Sequence, residues 1–394
     1  MSLQHVVAAV AKDSNIREVA EDLAAGVPAR IGTAPSTIPY VIAALASSDR
    51  PILVITPSDR AADEYAKSLS DFIDPQSIEV FPAWETLPHE RLSPSGDTVG
   101  TRMAVLRRLA HPEESSPIKC MVAPIRSVIQ PIVSGLGEIV PLSLSVDDEM
   151  SLDALSLRLV QLGFERVELV DRRGQFAVRG GIVDVFPSSL EHPVRVEFWG
   201  DVVEDIRAFS VADQRSLGLP TTSLLATACR ELLIDDEVRE RASLLLDKHP
   251  ELGEILGPVS EGIAVEGMES LLPVLVDDMQ LILDVIGDEW LVVEVDPERI
   301  SARAAELVTT SAEFLEASWS NVTAGNNAMP IDLGKSGYRD YADTKDAYAT
   351  HAWCEISTLI VVSSKPKRVK TCEETQLNFF FDRLSNSCSV PIKI

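Results

Sequence analysis

The sequence predicts an α/β protein built on a parallel sheet, split by an inserted small α+β module. Three observations carry this. The first 140 residues alternate short β-branched apolar runs with helix-length stretches, the pattern of a parallel sheet covered on both faces. From about residue 143 the texture changes to alternating strands joined by glycine-containing turns. Beyond residue 225, helical stretches and apolar runs of strand length return, and 394 residues suffice for two or three such units.

Taken in order, "ARIG" (29–32) reads as a strand that ends on Gly32 and leads through a turn into the helical run "IPYVIAALA". This opens as a phosphate-binding loop does and then departs from it. Such a loop needs G-x-x-x-x-G-K-[ST], because backbone N–H groups cradle the phosphates, the lysine reaches the β/γ oxygens and the hydroxyl holds Mg²⁺. Counted from Gly32, the last three positions hold Thr37, Ile38 and Pro39, with Ser36 before them, and no lysine occurs between Lys12 and Lys67. The residues alone leave two readings, an ordinary strand-to-helix turn or a nucleotide site that has lost its chemistry. "PILVIT" (51–56) follows as a strand, "SDRAADEYAKSLSDFI" (58–73) as a helix capped by Ser58, and "IEVFP" as a strand. The loop "AWETLPHERLSPSG" then leads to the helix "DTVGTRMAVLRRLA", expected to start at Asp97 or Thr98, and to the strand "IKCMVAP".

In the inserted part, a short helix around "LDALSLRLVQLGF" precedes strands in "RVELV", "FAVRGGIVDVF" and "VRVEFWGDVVEDIRAFSV". Gly200-Asp201 between two alternating runs marks a hairpin. Alternation places Val194, Val196 and Phe198 on one face and Arg195, Glu197 and Trp199 on the other. The apolar face buries itself, which leaves the Arg-Glu-Trp face for a solvated role or for a partner. Further on, "DEVRERASLLLDKH" and "DPERISARAAELVTTSAEFLEASW" are helices, the second with Asp296 as N-cap, Pro297 at its first position and an inner stripe of Ile300, Ala304, Leu307, Val308, Ser311 and Leu315. Between them, "PVLVDD" and "WLVVEVD" are expected to extend the first sheet.

Composition narrows the classes of function. With 45% apolar and 24% charged residues this is globular text, without an 18-residue uncharged apolar run or a signal-peptide start, so a cytoplasmic location and no membrane contact are expected. Five cysteines, Cys120, Cys229, Cys354, Cys372 and Cys388, form no C-x-x-C pair, so reduced thiols and no metal site are expected. A net charge of −26 opposes direct binding of duplex DNA. Residues 363–394 differ, with six Lys or Arg against three acids. "ELLIDDEV" (231–238) imitates a metal-holding strand end, but Asp235 or Asp236 serves more simply as a helix cap. His89-Glu90 in an exposed loop and the pairs Asp147-Asp148 and Asp277-Asp278 read as structural turns or caps.

Four stretches are specific enough to carry a family resemblance: "FPAWETLPHERLSPSGDTVGTRMAVLRRL" (81–109), "RGGIVDVFP" (179–187), "VRVEFWGDVVEDIRAFSVADQRS" (194–216) and "DPERISARAAELVTTSAEFLEASW". In order and spacing the chain, to about residue 337, resembles the amino-terminal region of the bacterial transcription-repair coupling factors, which is itself similar to excinuclease B. The resemblance implies a degenerate nucleotide-binding-like α/β domain (1–140 and 226–330) split by a module at 141–225 that docks excinuclease A, then a linker (331–362); after about residue 357 the resemblance fades, and residues 363–394, with their altered charge, are expected to be a divergent, disordered tail. It implies a degenerate nucleotide loop at Gly32, Ser36, Thr37 and Ile38, no catalytic residue and no cofactor, ATP and Mg²⁺ belonging to motor domains that the sequence does not contain. It further implies that Arg179, Arg195 and Trp199, with Glu197 beside them, contact excinuclease A, and that RNA polymerase and DNA are reached only through the other domains. Excinuclease B detects damage with a tyrosine-rich hairpin, whereas here only Trp84 follows Phe81 before the helix, so no base stacking is expected. The chain is thus read as a truncated coupling factor that recruits excinuclease A. A weak nucleotide hydrolase and a non-functional gene remnant are the alternatives.

Overall fold

The apolar runs of the first and last thirds become the strands of one parallel sheet. The computed structural model describes residues 4–47, 50–88, 90–320, 337–358 and 370–371. Twelve strands matter here. In chain order they are β1 (Ala29–Gly32), β2 (Ile52–Thr56), β3 (Ile78–Val80), β4 (Cys120–Pro124), β5 (Glu165–Arg166), β6 (Gln175–Arg179), β7 (Ile182–Phe186), β8 (Val194–Trp199), β9 (Val202–Phe209), β10 (Ser216–Pro220), β11 (Leu291–Val295) and β12 (Ala352–Ser357). The first four and last two form the main sheet in the order β1-β12-β11-β2-β4-β3, every pair parallel. Lys370–Thr371 pairs in parallel with Ile31 and Gly32 at its outer edge.

Both faces of this sheet are covered, as continuous apolar strands require. On one face Ile31, Ile52, Val54, Val122 and Val293 pack under α1 (Gln4–Val10), α2 (Ser14–Ala24), α3 (Ile38–Ala46) and α4 (Asp59–Leu69). On the other, Leu53, Ile55, Met121 and Val292 pack under α5 (Gly96–Ala110) and the long α6 (Pro297–Ser320). Each buried aliphatic side chain of this kind contributes about 1.5–3 kcal/mol of transfer free energy. Ser58 caps α4 by accepting from the Ala61 N–H, and Asp235 caps the helix Asp236–Lys248 by accepting from the Val238 N–H, as expected. The α6 stripe is buried at Ile300, Ala304, Leu307, Ser311 and Leu315 and half-buried at Val308.

The second apolar cluster continues without a break into the inserted module, through Val183, Val194, Val196 and Phe198. The module is tied at its root by a two-stranded antiparallel ribbon in which Leu142–Ser145 pairs with Ser223–Ala226. Its sheet runs β10-β9-β8-β7-β6-β5, antiparallel except for the short β5–β6 pair. A bulge between Glu197 and Phe198 leaves Glu204 opposite no residue of β8, which sharpens the twist at that end. Helix α5 touches the module directly: a Cβ on Gly100 would lie 2.1 Å from the Cβ of Ser188. Beside this contact, Arg102 and Glu231 form a fully buried ion pair (Nε to Oε1, 2.6 Å), and Trp84 donates to the same carboxylate at 2.8 Å. The single aromatic of the 82–95 loop is therefore buried and engaged internally.

Several expectations are corrected. Helix α5 starts at Gly96, capped by Ser95, whose hydroxyl accepts from the Thr98 N–H ahead of the expected start. "RVELV" contributes only Arg166 to a strand, because Val167 and Val170 turn in to pack on Phe209 and Phe186. "PVLVDD" is no strand: Leu272–Leu275 is helical, with Pro273 in its first turn, where a missing N–H costs nothing. Within the expected 331–362 linker, residues 337–358 form a helix, Tyr341–Ala347, and β12, which enters the main sheet between β1 and β11. Buried Ala352, Trp353, Cys354 and Ile356 give that strand its place. Of the expected tail, all but Lys370 and Thr371 lies outside the described residues, as do His89, Cys372 and Cys388.

Candidate partner-docking surface

Strand pairing decides which module side chains share a face. Opposite residues across a ladder point the same way, so the pairs Ala177–Asp184–Arg195–Arg207 and Arg179–Ile182–Glu197–Asp205 form two neighbouring rows on the outer face. Alternation along β8 holds as expected: Val194, Val196 and Phe198 are buried, while Arg195, Glu197 and Trp199 lie on the other side. That side is not uniformly open. One half is roofed by the loops at 167–172 and 210–215, where Val170, Ala177, Phe186 and Phe209 make a small second core. The other half ends at two glycine turns.

Both turns need a left-handed residue to close two-residue hairpins, and Gly180 (φ +61°) and Gly200 (φ +64°) supply it. They lie at the same end of the sheet and bring Arg179, Ile182, Trp199 and Val202 to its tip. Trp199 is 79% exposed, an unusual state for an indole, with Val202 exposed opposite it.

Charge on this face is closely paired. Asp184, whose side chain is 1% exposed, accepts from Arg195 through both carboxylate oxygens (Nε to Oδ1, 2.6 Å; Nη2 to Oδ2, 2.9 Å) and from Arg179 at Oδ2. The Arg195 guanidinium lies 4.6 Å over the Phe209 ring, and its Nη1 donates to the Gln214 carbonyl at 3.4 Å. Hydrogen bonding to Asp184 pushes the Arg195 pKa up, against an opposing effect of burial. Arg207 bonds Glu197 and lies 3.4 Å from Asp205. Arg179, Arg195 and Arg207 thus face Asp184, Glu197 and Asp205, three charges of each sign.

The sequence reading found four of these residues and missed Asp184. Its signal was legible: an acid in the middle of the apolar run "GGIVDVF" needs a cation, because a buried carboxylate without one is costly. Ile182 and Val202 were missed for a different reason, since only the shared end of the two hairpins makes them neighbours of Trp199.

The loop after β1 has the opposite character. Thr33 donates its N–H to the Ser357 carbonyl, and residues Pro35–Thr37 form a single 3₁₀ turn. The Thr37 hydroxyl is hydrogen-bonded to Thr33 and to the Ala34 carbonyl, Ile38 is fully buried and Ser36 is exposed. Counted from Gly32, the lysine and hydroxyl positions of a nucleotide loop hold the buried Ile38 and Pro39, and the nearby Thr37 hydroxyl is already engaged.

Cys120, Cys229 and Cys354 are buried free thiols, and burial pushes each up to about 12. The one convergent set of donor atoms among the described residues is His111, Glu113 and Glu114, within 4.8 Å of one another. Arg107 already holds both Glu114 oxygens there, so the group reads as a charge-paired helix end. No helix among the described residues is long and apolar enough to cross a membrane.

Residues 142–228, which include the strands of the inserted module, match the family model described as UvrB interaction domain. Transcription-repair-coupling factors of Mycobacterium bovis and Mycobacterium tuberculosis are each 44% identical over 346 residues, which is 83% of this chain and 28% of theirs. That of Myxococcus xanthus is 30% identical over 316 residues, 75% of this chain and 26% of its own. The chain belongs to the family of bacterial transcription-repair coupling factors, as a homologue of their amino-terminal region, and it spans about a quarter of the length of the curated relatives it matches.

Proposed function

We propose that this chain acts as a non-catalytic docking module in transcription-coupled nucleotide excision repair, recruiting excinuclease A in the cytoplasm. The tip of the module is the docking surface, with Arg179 and Trp199 as its anchors and Arg195 and Glu197 in the supporting row. The observation that carries this reading is the exposure of Trp199 at the end of an arginine-rich, charge-paired face. Arg and Trp are the residue types that dominate binding hot spots, because they combine large buried area with directional contacts. Similarity to the UvrB interaction domain and to transcription-repair-coupling factors supports both the partner and the process. The closed loop after β1 supports a role without ATP hydrolysis, and the net charge of −26 supports reaching DNA and RNA polymerase through other domains of the family.

Calorimetric titration of the chain with its cognate excinuclease A tests the reading, alongside the Arg179→Ala/Arg195→Ala double variant. Saturable binding by the parent and its loss in a folded variant are expected. A folded parent that produces no binding heat overturns the proposal.

A further inference from the structure

Resting on that docking role, we infer that Asp184 is a positioning residue that fixes the Arg179 guanidinium for the partner, and that Arg195 acts through Asp184 without touching the partner itself. Three observations separate the two arginines. Arg195 is 17% exposed in its side chain, and all three of its guanidinium nitrogens are engaged, two on Asp184 and one on the Gln214 carbonyl. The loop carrying Gln214 is folded over it: Gln214 takes a left-handed φ of +60° and its amide donates to the Val170 and Val211 carbonyls. With Phe209 beneath it, Arg195 is enclosed on several sides and presents little to an incoming protein.

Arg179 is placed differently. Its side chain is 46% exposed at the hairpin turn, and its one hydrogen bond among the described residues is the Nη2 contact with Asp184. Its remaining donors suit a carboxylate of the partner, which an arginine fork meets with two parallel N–H bonds. Asp184 connects the two, since one buried carboxylate holds both guanidinium groups. A long side chain held in its bound geometry before the encounter loses less freedom on binding. Trp199 and Val202 then supply the apolar contact next to that charged one.

The charge of Asp184 makes the inference separable from simple electrostatics. Asp184→Asn removes a negative charge and makes the face more positive by one. If the arginines served as charge alone, this variant would bind a carboxylate-bearing partner more tightly. If Asp184 positions Arg179, the variant binds more weakly in spite of its gain in positive charge.

The experiment is calorimetric titration of the full chain with excinuclease A, using the parent, Asp184→Asn, Arg179→Ala and the double variant, each checked for folding by circular dichroism. Asp184→Asn is expected to weaken binding about tenfold, the scale of one charge-assisted contact. In the Arg179→Ala background the same change is expected to have almost no further effect, which a general loss of stability would not produce. Equal or tighter binding by Asp184→Asn, or an equal loss in both backgrounds, overturns the inference and leaves the docking role standing. No binding by the parent removes the docking role and the inference with it. Should Asp184→Asn not fold, Arg195→Gln takes its place, and the same loss confined to the Arg179 background is required.

Discussion

At the end of β1 the chain folds its polar groups inward, whereas at the tips of β6–β7 and β8–β9 it leaves side chains in solvent. Both regions are marked by glycine, and both carry motifs that suggest binding. The loop at 32–38 engages the Thr37 hydroxyl with its own neighbours and seals Ile38 into the core. The hairpin tip balances its charges among themselves and still leaves Trp199 and part of Arg179 open. A glycine turn is therefore only a frame. Whether its surroundings can bind depends on how much of their hydrogen-bonding and apolar capacity the fold has already used.

This contrast makes separable predictions for stability and for binding. The largest effect is expected away from both regions, at the buried ion pair on α5: Glu231→Ala leaves Arg102 buried without its carboxylate and should lower unfolding free energy by about 3–5 kcal/mol in denaturant titration. A loss below about 1 kcal/mol would show that this pair does not hold α5 to the segment carrying Glu231. Next, Ile38→Ala should cost about 3 kcal/mol as a core truncation while leaving affinity for excinuclease A unchanged. Trp199→Ala should do the reverse, weakening binding by about 2 kcal/mol, near thirtyfold, with unfolding midpoints almost unmoved. A stability loss in Trp199→Ala equal to its binding loss would break the comparison. The smallest effect is expected for Thr37→Val, about 1 kcal/mol of stability from two lost hydrogen bonds, with no change in affinity.

Much of this was legible in the sequence because it rests on periodicity. The parallel sheet followed from apolar runs such as "PILVIT" and "IKCMVAP", and the two faces of β8 followed from alternation alone. What escaped depends on pairing between distant segments. "AWCEIS" (352–357) carries no local mark of a place between β1 and β11, and "PVLVDD" has the apolar content of a strand but a proline suited to a first helical turn. On the candidate docking face, Arg195 and Glu197 were readable as neighbours along one strand. The role of Asp184 as a shared anchor required the register of β6, β7 and β8.

The position of β12 has a consequence for the order of assembly. Every strand of the module lies within residues 165–220, and its root closes at Ser223–Ala226, so its pairings link segments that are near in sequence. The main sheet instead keeps a gap between β1 and β11 until residues 352–357 arrive, more than three hundred residues after β1. Contacts between distant segments form slowly, and domains fold as units while the chain is still being synthesised. A ribosome making this protein thus releases every strand of the arm well before the last strand of the base that shares its core.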